Sequence, residues 1–67
     1  MSDAELAQRA EAASGLGRRG FAALLKVDES TVGRWKAGTR ALEGPERVIC
    51  EAIIRDPSVV ASLAPPG

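Results

Sequence analysis

Arg18, Arg19, Lys26, Arg34, Lys36 and Arg40 gather six of the chain's nine cations into its middle, opposed there only by Asp28 and Glu29. That segment holds an excess of four positive charges, whereas residues 1–17 and residues 41–67 each hold an excess of two negative ones. The chain is neutral overall, which taken alone argues against nucleic acid, yet the distribution concentrates positive potential where phosphate would be met. Mixed charge is also what any soluble surface displays, so the residues between the cations must decide. Glu29, Ser30, Gly33, Arg34 and Lys36 share the polar side of one short segment, the kind of surface a recognition helix offers to a major groove. Other chemistry lacks its parts. The 67 residues contain no histidine or tyrosine, one cysteine, no Cys-rich metal spacing and no glycine-rich phosphate loop. No enzyme activity, cofactor or metal is therefore expected. The carboxylates Glu43 and Glu46 stand at a helix start, where capping explains them.

The elements that position this surface are helical, because Val, Ile and Thr never alternate with polar residues over four positions. Residues 18–25 read as a helix with Phe21, Leu24 and Leu25 at i, i+3, i+4. A turn at Lys26-Val27 leads to Asp28, whose side chain is expected to accept from the first free amides of a helix from Glu29 to Ala37, stopped at Gly38. Val32 and Trp35 pack that helix back on its predecessor. A first helix from Ala4 to Ala13, capped by Ser2 or Asp3, turns Leu6, Ala10 and Ala13 inward and ends at Ser14-Gly15. The fourth begins at Pro45, runs to Arg55 and uses Val48, Ile49, Ala52 and Ile53 as its core stripe, leaving Cys50 and Ile54 partly exposed. A fifth spans Pro57 to Leu63 behind an Asp56 cap, and Pro65-Pro66-Gly67 frays. The expectation is one all-α domain over residues 1–67: a compact bundle of four to five short helices, with a helix-turn-helix at about 17–38 and helices 45–63 serving dimerisation.

The pattern Leu16, Phe21-Ala22, Leu25, Val27-Asp28, Ser30-Thr31-Val32, Arg34-Trp35 and Gly38 resembles the phage-repressor-like (Cro/cI, or XRE) helix-turn-helix family, over about residues 4–56. The resemblance implies a lambda-repressor-like DNA-binding domain, in proteins that are usually dimeric repressors or antitoxins repressing their own operons. By position, it implies base-reading roles for Glu29, Ser30 and Arg34. Arg34 would give two hydrogen bonds to guanine O6 and N7, Glu29 would accept from cytosine N4, and Ser30 suits several bases. Two alternatives stay open: Glu29 as a complement to the helix dipole, and Ser30 as a partner of first-turn amides. Phosphate contacts are implied for Arg18, Lys36, Thr39 and Arg40, with Arg19 adjacent. Lys26 departs from the family's usual turn glycine, which implies either a left-handed lysine or a different turn. The family's acidic residue after the tryptophan is Lys36 here and its basic partner on helix one is Glu11, so a pair of reversed sign would tie helix one to the recognition helix. That tie competes with the phosphate role of Lys36.

Trp35 reads as the centre of the core rather than a base-stacking platform, and Cys50 as a small hydrophobe rather than a redox sensor. Chains of this size bury only about 60% of their unfolded surface, so a homodimer is expected, with Ile54, Val59, Val60 and Leu63 at its interface. The expected function is that of a sequence-specific transcriptional repressor whose partner is double-stranded DNA bearing an inverted repeat. The alternative is an antitoxin or other protein-interaction module, with a toxin or second regulator as partner. One cysteine and no apolar leader lead to the expectation of a cytoplasmic protein, and the expected DNA binding makes it nucleoid-associated. The apolar run at Val48–Ile54 falls far short of the roughly 20 residues that span a bilayer.

Overall fold

Ser2 begins the first helix: its Oγ accepts from the Glu5 amide at 3.1 Å, satisfying one of the four free donors of the first turn. The computed structural model describes residues 1–63, so the Pro65-Pro66-Gly67 tail lies outside them. These residues form five helices and no strand: α1 (Asp3–Ser14), α2 (Gly17–Leu25), α3 (Glu29–Ala37), α4 (Gly44–Arg55) and α5 (Val59–Leu63). None is long and apolar enough to cross a membrane. α1 packs across both α4 and α3, α2 packs on α3, and α5 touches α4.

The alanine-rich face of α1 lets neighbouring helices approach closely. Leu6, Ala7 and Ala10 are buried, while Ala13, expected in the same stripe, is only half-buried. Phe21, Ala22 and Leu25 of α2 meet Val32 and Trp35 of α3 in the same core. Close approach also explains Gly20, where a Cβ would stand 2.8 Å from the Leu16 Cβ. The α2–α3 turn is made by Lys26 at φ 58°, the left-handed of the two alternatives open at that position. Its amide donates to the Ala23 carbonyl at 3.2 Å and the Val27 amide to the Ala22 carbonyl at 3.0 Å, which closes α2 at a conformational cost of roughly 1–2 kcal/mol. Asp28 departs from expectation. Its backbone carbonyl accepts from Thr31 and Val32 at 3.0 and 3.3 Å, but its carboxylate makes no capping bond.

α4 is rotated from the expected stripe. Cys50 and Ile53 are fully buried and Ile49 and Ala52 half-buried, whereas Val48 is 65% exposed. Apolar side chains occupy positions 48, 49, 50, 52, 53 and 54, nearly the whole circumference, so their period does not fix which arc turns inward. Packing against α1 selects the arc through Ile49, Cys50 and Ile53. Leu42, in the loop before α4, is buried as well. α5 starts at Val59 rather than Pro57, because Asp56 Oδ1 accepts from the Ser58 amide at 3.2 Å and its hydroxyl at 2.7 Å, holding Pro57-Ser58 as a turn.

Candidate nucleic-acid interface

α3 is built with two unlike sides. Thr31, Val32 and Trp35 are buried against the core, which leaves Glu29, Ser30 and Arg34 exposed on the other side. Gly33 sits among them, and a Cβ there would meet nothing within 4 Å, so no packing inside the chain demands a glycine. The helix stops at Gly38, φ 79°, whose amide donates to the Trp35 carbonyl at 3.1 Å. Thr39 then bonds the Arg34 carbonyl twice, through its amide at 3.0 Å and its hydroxyl at 3.3 Å.

Arg34 makes no ion pair among the described residues, nor do Arg19 and Arg40, and all three are exposed. Arg18 and Glu29 come together across the α2–α3 junction with Nε 3.4 Å from Oε1. One residue expected at phosphate and one expected at a base edge thus face each other at the surface. Lys36 is placed differently. Its Nζ lies 2.9 Å from Glu11 Oε1 and 3.2 Å from Oε2, and its carbonyl accepts from Gln8 Nε2 at 3.0 Å. Of the two roles open to Lys36, this geometry favours the tie to α1.

A second clasp, which the sequence pattern does not reveal, holds the loop after α3. The Asp3 carboxylate accepts from the Leu42 amide at 3.0 Å and from Arg47 Nη1 at 2.7 Å. The Leu42 amide, and after it the Arg47 guanidinium, hold the Asp3 carboxyl below its ordinary value. The loop that carries Thr39 and Arg40 is thereby fixed to the start of α1. Sequence marks Asp3 only as a possible cap, and nothing local distinguishes a cap from a long-range acceptor.

Burial pushes the Cys50 thiol up to about 11, helped by Glu46 and Glu51, so it stays protonated at neutral pH and is a poor nucleophile. Ile54, Val59 and Val60 are half-buried against the chain's own core, and Leu63 is exposed. The apolar surface left for a second copy is narrower than those four residues suggest. Comparison of the chain with protein-family models, with curated proteins and with solved structures finds no match.

Proposed function

We propose that the protein is a sequence-specific DNA-binding repressor that inserts α3 into a major groove. One observation carries this reading: α3 is anchored by buried Val32 and Trp35 while Glu29, Ser30 and Arg34 stay exposed around a glycine that packing does not require. An arginine with both its guanidinium edges uncommitted suits the bidentate contact to guanine. Arg18 and Arg19 at the start of α2, with Thr39 and Arg40 after α3, flank that face as phosphate contacts. Phosphate contacts fix register without reading sequence. Lys36 is left to its pair with Glu11.

The proposed active form is a homodimer. Leu63 and the exposed edges of Ile54, Val59 and Val60 supply its contact, and two copies of α3 would read half-sites one helical turn apart. Binding rather than catalysis is the proposed activity, in the cytoplasm. Selection of random DNA duplexes by the purified protein tests the reading. An inverted repeat should emerge. Arg34→Ala should lose one guanine preference, worth about 10-fold or more, whereas Arg40→Ala should weaken all sequences alike. No enriched motif at low salt would turn the reading to a protein-interaction module.

A further inference from the structure

The α2–α3 turn, α3 and the loop into α4 enclose an open groove of about 670 Å³. Its rim carries charges of both signs: Lys26 and Arg40, with Asp28, Glu43 and Glu46. None of the five forms an ion pair among the described residues, although the rest of the described surface contains five such pairs. Neither Asp28 nor Glu43 spends its carboxylate on a capping bond, although each is the N-cap residue of a helix. The floor includes Val27, Thr31 and Trp35. Thr31 is only 8% exposed, and its hydroxyl has no hydrogen-bond partner among the described residues. No polar side-chain atom is sealed away unbonded among the described residues, so this hydroxyl keeps some exposure, and Thr31 lines the groove.

Opposite charges held apart around a pocket, with an unused hydroxyl at its base, suit a ligand that carries both signs itself. A plain anion would leave three carboxylates opposing it, and a plain cation would leave Lys26 and Arg40 unmatched. The volume lies in the range of small-molecule sites, about 300–1,000 Å³. We propose that this groove binds a zwitterion of amino-acid size, its carboxylate facing Arg40 and Lys26, its ammonium facing Glu43 and Glu46, and its apolar part against Val27 and Trp35. The Thr31 hydroxyl supplies one further hydrogen bond. This site uses none of Glu29, Ser30 and Arg34; it shares Arg40 with the proposed phosphate contacts but does not depend on the DNA reading.

The test contains no DNA, because Arg40 is also a phosphate candidate. Each standard amino acid is titrated to about 10 mM while Trp35 fluorescence and backbone amide shifts are followed. At least one should give saturable shifts confined to residues 26–31, 35 and 40–46, half-complete at about 1 mM. The N-acetyl and the amide forms of that amino acid, each with one charge removed, should bind at least about 10-fold more weakly. Arg40→Ala, Glu43→Gln and Thr31→Val should each weaken binding, whereas Arg18→Ala, outside the groove, should not. Arg40 and Glu43 are exposed, so the first two variants retain the fold. Absence of saturable shifts with every amino acid, or equal binding of the zwitterion and its singly charged forms, overturns the proposal.

Discussion

On the side of α3 that meets α1, Lys36 is bonded through its ammonium to Glu11 and through its carbonyl to Gln8, and Asp3 ties down the following loop. On the outer face and around the groove, Arg34, Lys26, Asp28, Arg40 and Glu43 carry no ion pair among the described residues. The difference is not one of composition, since charged residues of both signs occupy both regions. Polar groups near α1 lie close to the core, where bonds fix how α3 sits and where unmatched groups would cost free energy. Apart from the exposed Arg18–Glu29 pair, the charged groups elsewhere around α3 remain hydrated and uncommitted, so an external ligand can engage them without first breaking a bond among the described residues. The charges that set the architecture and those left uncommitted are therefore separated largely by position around one helix.

The substitution with the largest expected effect erases both sides together. Trp35→Ala removes the buried anchor of α3 and should cost about 3–5 kcal/mol, enough to leave so small a domain largely unfolded. Urea denaturation followed by circular dichroism measures this. A variant as stable as the parent would show that the polar ties to α1, not the core, hold the helix. Gly33→Ala acts only on the outer face and should raise stability by about 0.8–1 kcal/mol, which shifts the melting temperature of such a domain upward by roughly 4–8 °C. On the proposed function it should also weaken DNA binding, because the added methyl stands between helix and base pairs. A stabilised variant with unchanged DNA affinity would show that Gly33 does not serve close approach.

Much of this division is legible in the sequence. The bounds of α3 and the outward placement of Glu29, Ser30 and Arg34 follow from period and polarity, because α3 has only one arc of large apolar residues, whereas the Glu11–Lys36 pair follows from the family resemblance, which sets those two positions against each other. The left-handed Lys26 is one of two outcomes the turn allows. Where apolar residues run nearly all round a helix, as in α4, rotation is set by the neighbours instead, so Cys50 and Val48 exchange their expected places. Leu42 belongs to a loop with no period to mark it as core. The Asp3 clasp joins residues 39 and 44 positions apart, and the groove is assembled from a turn, a helix and a loop, so neither has a local signature.

The α1 side also predicts a response to acid. The Asp3 carboxyl is held below its ordinary value in the fold, so its contribution is fully present above the unfolded value of about 3.9 and is lost as pH falls through the depressed folded value. Asp3→Asn keeps an acceptor for the Leu42 amide but removes the charge facing Arg47. The stability gap between parent and variant should therefore be widest near neutrality and shrink as pH falls below about 3.9. Urea midpoints across that range provide the check, and a gap independent of pH would mean that the clasp acts through shape and not through charge.

The smallest expected effect compares the two sides directly through their ion pairs. Glu11 and Lys36 are 17% and 31% exposed in their side chains and 2.9 Å apart, whereas Glu29 and Arg18 are 46% and 57% exposed and 3.4 Å apart. Water and salt screen the second pair more, and fixing two mobile side chains offsets most of what attraction remains. Double-mutant cycles should give a coupling of about 0.5–1 kcal/mol for Glu11–Lys36 and at most a few tenths for Arg18–Glu29, the latter vanishing at high salt. A near-zero coupling matters for the proposed function, since Glu29 and Arg18 could then part at almost no cost and turn to a base edge and a phosphate. A coupling above about 1 kcal/mol at the Arg18–Glu29 pair would instead commit both groups to each other. The outer face would then be left with Ser30 and Arg34 alone as readers, and the contrast between the two sides of α3 would narrow to the arginine.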